Sequence, residues 1–406
     1  MTSANGTRTP VRIGVFGLLG SGNLGNDGSL EALLGHLSAE HPEAVVDALC
    51  GGPEFVSARF GIPATRMHWN RGEYRTASRA GALATKSLGK LLDVARTAAW
   101  VRRHDVVIVP GMGVLEATLP LRPWGFPYAL FLLCATGRLF GTPVALVSVG
   151  AAVIGNPATR ALVRWSARLA RYRSYRDAPS REAMRAMGVN TARDGVYPDL
   201  AFALPTLPAS APADPRGPVC VGVMDYHGSD DDRARADEIH RRYLDGTIRF
   251  VRTLVEDGRP VRLLYGDGVD APVVAAILDA VPSPLLTAAD VTSLADLMKE
   301  TAAAATVVAI RYHNLISALK VGTPTLALSY AAKTEALMAD LGLAAYCHPA
   351  RAVDADRLLE QFRELERHSA QLRQTLAERN VVAARRVQDQ FTDLTAALFP
   401  VAQEAR

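Results

Sequence analysis

The chain has 406 residues, of which 49% are hydrophobic and 21% are charged, and its net charge is +4. The length favours two domains over one, the composition excludes a disordered chain, and the small charge gives no reason to expect nucleic acid as a partner. The first ten residues are polar, and the longest apolar stretch, 127–150, is interrupted by glycine, arginine and proline. We therefore expect no signal peptide, no membrane span and a cytoplasmic location.

Short apolar runs alternate with helical patterns through both halves of the chain. The clearest strands are 11–17, 105–110 and 143–150 in the first half, and 219–225, 260–265, 306–311 and 325–330 in the second. This alternation is typical of parallel sheets with helices on both faces, so we predict two Rossmann-like α/β domains. The predicted units are an N-terminal domain (1–205), a linker rich in proline and alanine (206–218), a C-terminal domain (219–372), and a helical segment (373–406) that packs back on the N-terminal domain.

A glycine-rich loop, residues 20–28, follows the first strand and precedes a helix predicted over 29–38. Its glycines fit the dinucleotide-binding pattern GxGxxG, but the pattern is short, and Asp27 would place a negative charge beside a pyrophosphate. Two interpretations remain open. In one, the loop is a tight turn and Asp27 caps the helix; in the other, Asn23, Asn26 and Asp27 contact a sugar. We favour a turn for the glycines and ligand contact for Asn23 and Asp27.

Two polar clusters follow neighbouring strands of the second half. The first contains Arg311, Tyr312, His313 and Asn314, and the second contains Lys333. A helix predicted over 314–321 separates the two strands, which should therefore be parallel and should end at the same edge of the sheet, where open α/β sheets bind ligands. Arginine and lysine suit an anion, and imidazole titrates near neutral pH. The pattern predicts a site for a small polyanion with His313 as proton carrier.

Residues 70–104 carry eight lysines or arginines, interleaved with leucines. Two interpretations have equal weight: a solvated helix face, and a basic amphipathic segment that rests on an anionic membrane. The four cysteines are scattered without a CxxC pair, which indicates reduced thiols in the protein interior. No cluster has the spacing of metal ligands, so we predict no metal.

Taken together, several motifs resemble the polysaccharide pyruvyl transferase family over roughly residues 11–343. They are Gly-Asn-Leu-Gly-Asn-Asp at 22–27, Val106–Gly113, Tyr175-Arg176-Asp177, Pro198-Asp199-Leu-Ala-Phe202, Arg311-Tyr312-His313, and Gly322-Thr-Pro324 leading to Lys333. Each motif is weak alone, but their order and spacing are specific. The resemblance implies a glycosyltransferase-B-like fold in which two Rossmann-like domains face a cleft. It also implies an enzyme that moves the enolpyruvyl group of phosphoenolpyruvate onto two hydroxyls of a sugar, giving a cyclic pyruvate ketal and phosphate.

The resemblance also suggests which residues carry the reaction. The catalytic residues would be Arg176, His313 and Lys333; the substrate-binding residues would be Arg311, Tyr312, Asn314, Asn23, Asp27, Gly111 and Gly113. No cofactor is implied, because phosphoenolpyruvate is a donor substrate. The expected partners are phosphoenolpyruvate and a sugar acceptor on a lipid carrier or polysaccharide precursor, with peripheral contact with the cytoplasmic membrane face.

Three alternatives stay open. The same fold suits a B-type glycosyltransferase that uses a nucleotide sugar, although no carboxylate for the nucleotide ribose is evident. The chain would also suit a sugar- or anion-binding module without chemistry. Without the family resemblance, an ion pair of Arg176 with Asp177 or Asp194 would be the better interpretation of that arginine.

Overall fold

The computed structural model describes residues 10–69, 79–116, 123–205, 214, 217–228 and 230–399, with the backbone alone for 79–87, 230 and 231. Within these residues the strands form two parallel sheets, one of seven strands and one of six. The predicted α/β class with two parallel-sheet domains is therefore confirmed. Most of the predicted linker, 206–218, lies outside the described residues.

The first sheet belongs to the N-terminal half. Its strands are β1 Arg12–Gly17, β2 Val45–Cys50, β3 Ala64–Arg66, β4 Val106–Pro110, β5 Val144–Val149, β6 Tyr172–Tyr175 and β7 Gly195–Val196. They lie in the order β3-β2-β1-β4-β5-β6-β7. Its helices are α1 Leu24–Glu40, α2 Pro53–Phe60, α3 Arg79–Val101, α4 Phe126–Phe140, α5 Pro157–Leu169 and α6 Ala178–Ala186. The central strands β4 and β5 are buried along their whole length, as expected for a sheet covered on both faces.

The second sheet belongs to the C-terminal half and repeats this winding. Its strands are β8 Val219–Gly222, β9 Val261–Leu264, β10 Leu286–Ala288, β11 Thr306–Ala309, β12 Thr325–Ser329 and β13 Cys347–Pro349, in the order β10-β9-β8-β11-β12-β13. Its helices are α7 Ala236–Glu256, α8 Ala271–Ala280, α9 Leu294–Ala302, α10 Tyr312–Lys320, α11 Ala332–Asp340 and α12 Ala355–Arg367. Since β11 and β12 pair in parallel, both predicted polar clusters do lie at one carboxyl edge.

The last helix, α13 Ser369–Leu398, extends from one sheet to the other. Near its start Arg373 donates to the carbonyl of Ala305, beside the second sheet, at 2.8 Å. Near its end the fully buried Gln390 donates to Ser174 of β6 at 2.7 Å. The helix therefore binds both domains. No helix in the described ranges is sufficiently long and apolar to traverse a membrane.

The prediction that α1 begins at residue 29 is wrong, and the open interpretation in which Asp27 caps this helix is excluded as well. The helix begins at Leu24, and the side-chain oxygen of Asn23 accepts the N–H groups of Gly25 and Asn26 at 3.2 Å. Glycine weakens a helix interior by about 1 kcal/mol, which is why the sequence places the start too late. Gly25 is needed because its Cα lies against the ring of His313: an added Cβ would be 1.9 Å from Nδ1.

Candidate active site

The carboxyl ends of the two sheets meet through the glycine loop. The backbone N–H of Leu24 donates to the carbonyl of Gly266 at 3.1 Å, and Asn23 Nδ2 donates to Asp267 Oδ2 at 3.1 Å. The loop that was expected to bind a sugar thus contacts the loop after β9 in the other domain. These contacts bring residues of both domains to one buried site.

Arg176 is positioned by the turn between β6 and α6. The next residue, Asp177, caps α6 by accepting the N–H of Ser180 at 2.7 Å, which fixes the backbone around Arg176. The Arg176 side chain is only 3% exposed and donates from Nη2 to Glu116 Oε1 at 2.5 Å. Its guanidinium lies 4.4 Å from the ring centre of Tyr312, a distance at which cation and ring attract each other.

Glu116 joins this arginine to the lysine of the other domain. Lys333, in the first turn of α11, donates from Nζ to Glu116 Oε2 at 2.7 Å. Burial alone would raise the pKa of Glu116, but the charges of Lys333 and Arg176 lower the pKa of this carboxyl to about 2. The carboxylate is therefore ionised at any physiological pH, and it bridges two cations that belong to different domains.

Tyr312, the first residue of α10, provides the apolar surface of the site. It is buried, and its ring lies edge-on to that of His313 with the centroids 5.6 Å apart. The Lys333 ammonium is 5.8 Å from the same ring. Burial raises the pKa of Tyr312 well above its ordinary value, so the phenol stays protonated.

His313 faces a second carboxylate, Asp199. His313 Nε2 and Asp199 Oδ2 are 3.7 Å apart, too far for a hydrogen bond but close enough for attraction of an imidazolium. Neither atom has a hydrogen-bond partner among the described residues. Asp199 Oδ1 accepts the N–H of Ala201 at 3.0 Å, which fixes the carboxylate, and Arg176 Nη1 is 3.6 Å from Oδ2. Burial opposes ionisation of Asp199, but His313 and Arg176 lower its pKa overall.

Arg311 does not join the Glu116 bridge. Its Nε and Nη2 donate to the two oxygens of Asp270 at 2.8 and 2.5 Å, and Asp270 is completely buried. Burial is the main reason that the pKa of Asp270 is raised, although Arg311 lowers it. The predicted convergence of an imidazole, a guanidinium and an ammonium is thus made by His313, Arg176 and Lys333, while Arg311 forms a separate ion pair.

Asn314 is wholly buried between the ends of two strands. An added Cβ at Gly222 or Gly266 would lie 2.6 or 2.7 Å from its amide atoms. Neither amide atom has a partner within the described part of the chain. The close packing makes Asn314 a residue that joins α10 to the sheet edge, and its contact with a substrate stays a prediction.

The remaining predicted residues make contacts within the N-terminal domain. Asp27 is buried and accepts the N–H of Gly20 at 2.7 Å; burial raises its pKa to about 6. Gly111 has a φ of +52°, and an added Cβ would be 2.2 Å from Ser29 Oγ. At Gly113 an added Cβ would lie 2.9 Å from the Glu116 carboxyl. The two glycines therefore shape the turn that carries Glu116.

The carboxylates are what the sequence reasoning missed. Asp199 lies in the Pro-Asp motif of the family resemblance, but no role was attached to it, and Glu116 follows the glycine turn by three residues without any local signal. Asp194, the alternative partner considered for Arg176, pairs with Arg173 at 2.8 Å instead.

Asp225, His227 and His240 bring three potential metal ligands together in the described part of the chain. Asp225 Oδ1 is 2.9 Å from His227 Nε2 and 3.5 Å from His240 Nδ1. However, the two imidazoles are stacked, with centroids 4.4 Å apart and planes within 10°. Ligating nitrogens point their lone pairs in the ring plane, so parallel rings do not converge on one ion. We do not interpret the cluster as a metal centre.

The architecture that surrounds this site is found in solved structures of low sequence identity. A putative UDP-N-acetylglucosamine 2-epimerase from Listeria monocytogenes matches with a TM-score of 0.62 at 12% identity, covering 96% of both chains. The Neisseria meningitidis UDP-GlcNAc 2-epimerase bound to UDP-GlcNAc matches with a TM-score of 0.59 at 10% identity, covering 94% of this chain and 99% of that one. These similarities show a glycosyltransferase-B-like fold of two α/β domains.

The family model of the polysaccharide pyruvyl transferases matches residues 23–331, most of the chain. This chain belongs to the polysaccharide pyruvyl transferase family, and its activity is that of a pyruvyl transferase acting in polysaccharide biosynthesis. Among curated proteins, none matches the chain.

Proposed function

We propose that the protein transfers the enolpyruvyl group of phosphoenolpyruvate to two hydroxyls of one sugar, forming a cyclic pyruvate ketal and phosphate. The observation that carries this proposal is the gathering of Arg176, His313 and Lys333, from both domains, around the ring of Tyr312. Two cations suit the anionic groups of the donor, and the imidazole supplies the proton that the chemistry needs.

The proposed reaction begins when His313 gives a proton to the methylene carbon of the donor, which leaves positive charge at C2. A sugar hydroxyl adds to C2, and its proton returns to the imidazole. The C2–O bond to phosphate then breaks, and the second hydroxyl closes the ketal while its proton leaves with the phosphate. Asp199 Oδ2, 3.7 Å from His313 Nε2, lies close enough to attract the positive charge that the imidazole carries before it gives up its proton.

A nucleotide-sugar glycosyltransferase is not favoured. The similar solved structures include UDP complexes, but identities of 12–13% support a shared fold and nothing about the ligand. Arg311, at the carboxyl edge of the second sheet, is already paired with buried Asp270, which weakens its case as a diphosphate ligand.

We further propose a lipid-linked acceptor met at the cytoplasmic membrane face. Most of the basic segment, 70–104, lies outside the described side chains, but its described part contributes to an exposed apolar surface. Leu91 of α3 and Trp124 before α4 are 67% and 65% exposed. Lys90 lies 5.3 Å from the Tyr128 ring beside Trp124, so a cation accompanies the apolar side chains, as an anionic membrane requires.

The test is phosphate release from phosphoenolpyruvate with a panel of acceptor glycans, in excess chelator. His313→Ala should reduce the rate by about 10²–10⁴ because general acid–base assistance is lost, while donor binding persists. His240→Ala, a half-buried histidine outside the site, is the control. Near-normal turnover of the His313 variant would exclude His313 as proton carrier, and strict dependence on magnesium and a nucleotide sugar would exclude the proposed donor.

A further inference from the structure

The two cations that the proposed function assigns to the donor are already paired with the protein itself. Glu116 contacts Arg176 and Lys333 at 2.5 and 2.7 Å with its two oxygens, and its side chain is 5% exposed. In this arrangement the Glu116 carboxylate, with one oxygen on each cation, takes the bridging position that a donor anion would need.

We infer that Glu116 is a built-in competitor for the donor: its carboxylate occupies the anion position between Arg176 and Lys333, and an oxyanion of the donor displaces it. The inference rests on the proposed function for the identity of the donor alone. The occupied position itself is a property of the described geometry.

The size of the position defines the group that replaces the carboxylate. One carboxylate reaches both cations at hydrogen-bond distance, so the position suits one compact oxyanion and not an extended diphosphate. Either the carboxylate or the phosphate of phosphoenolpyruvate has suitable oxygens, since both accept charge-assisted hydrogen bonds from Arg and Lys.

The surroundings hold the cations in place when Glu116 leaves. Arg176 keeps the Tyr312 ring at 4.4 Å and Asp199 Oδ2 at 3.6 Å, and Lys333 keeps the Tyr330 ring at 5.3 Å. Gly150 lies directly beside the Glu116 carboxylate, and a side chain there would collide with it, because an added Cβ would be 2.2 Å from Glu116 Oε1. A pKa near 2 shows that the cations already stabilise a negative charge there.

Only the protein molecules in which Glu116 has moved aside can bind the donor anion there. The apparent donor affinity is therefore the intrinsic affinity multiplied by that fraction of molecules. The change in anion affinity when Glu116 is neutralised has opposite signs for the two possible roles of this residue. If Glu116 competes, its neutralisation strengthens anion binding; if it merely holds Arg176 and Lys333 in place, its neutralisation weakens anion binding.

The experiment titrates orthophosphate, pyruvate and phosphoenolpyruvate separately into the native protein and Glu116→Gln by calorimetry. We expect at least one of these anions to bind the variant about tenfold more tightly or better, as for a competitor that is displaced in about 10% of molecules or fewer. Comparing the gain in affinity for orthophosphate with that for pyruvate shows whether the phosphate or the carboxylate of the donor takes the position. Glu182→Gln, which removes an exposed carboxylate paired with Arg185, should leave all affinities unchanged.

Equal or weaker binding of all three anions by Glu116→Gln would overturn the inference. A gain for orthophosphate or pyruvate without any binding of phosphoenolpyruvate would uphold it and reject the proposed donor. If Glu116→Gln folds poorly because two cations are left unpaired, its melting temperature should rise with orthophosphate or with pyruvate more than that of the native protein; no such rise with either anion also overturns the inference. Glu116→Asp has a shorter side chain that cannot span both cations. This variant should also bind the anion more tightly than the native protein, but by a smaller factor than Glu116→Gln.

Discussion

The contact between Gly25 and His313 allows a test in which one methyl group is added. Gly25 lies in the first turn of α1, and a Cβ there would be 1.9 Å from His313 Nδ1 and 2.0 Å from Cγ. Ordinary contacts begin at 3.4 Å, so the ring has to move by about 1.5 Å or the domains have to separate. A misplacement of about 1 Å in a catalytic group costs up to about 10² in rate. Gly25→Ala should therefore reduce kcat/KM by about 10²-fold.

The assay is phosphoenolpyruvate-dependent phosphate release with the acceptor that the glycan panel identifies. Gly35→Ala is the matched control: Gly35 is in the same helix, and an added Cβ there meets no atom within 4 Å. It should leave activity unchanged and raise the unfolding free energy by about 0.8–1 kcal/mol, the helix-propensity difference. Activity of Gly25→Ala within twofold of native, with an intact fold by circular dichroism, would refute the placement of His313 against this loop.

Three further outcomes follow from the same geometry. Burial raises the folded-state pKa of Asp27 from 3.8 to about 6, so its stabilising contribution is full below pH 3.8 and is lost as pH rises through 6. In urea unfolding, the native protein should therefore lose up to roughly 3 kcal/mol of stability between pH 4 and 7 that Asp27→Asn does not lose. Identical pH profiles of the two proteins would contradict this. Arg311→Ala should destabilise the protein by about 3–5 kcal/mol in the same assay, because Asp270 is left buried without its partner. Lys333→Ala should instead act mainly on donor affinity, measured by calorimetry. Loss of donor affinity in Arg311→Ala and loss of stability in Lys333→Ala would place Arg311 in the donor site. Liposome co-sedimentation should show binding to anionic vesicles that is lost at high salt, and equal binding to neutral vesicles would leave 70–104 as a solvated helix face.

The sequence was sufficient to predict that two polar clusters of the second half share one edge of the sheet. Parallel strands of short apolar runs end in polar residues, and their pairing places His313 and Lys333 at one edge, as β11 and β12 show. Arg176 could be selected only through the family resemblance, because its own neighbourhood equally suits an ion pair.

The sequence could not predict the charge balance of the site. Glu116 and Lys333 are separated by 217 positions in the chain, and no periodicity encodes a contact of that kind. The start of α1 was misplaced for a related reason: Gly25 and Gly28 oppose a helix locally, but the ring of His313 and the side chain of Leu294 occupy the space where their Cβ atoms would lie. Tertiary contacts override helix propensity at these positions.

Helix α13 restricts how the two domains can move. The main chain passes from the first sheet to the second between β7 and β8, and α13 returns to the first sheet. Two bodies joined at two separate points have one easy relative motion, a rotation about the line through those points. The contacts Asn23–Asp267, Gly25–His313 and Glu116–Lys333 all cross between the domains, so one rotation breaks or restores all of them together. Opening should thus be a two-state event whose rate sets an upper limit on turnover, and removal of α13 should convert it into unrestricted domain separation.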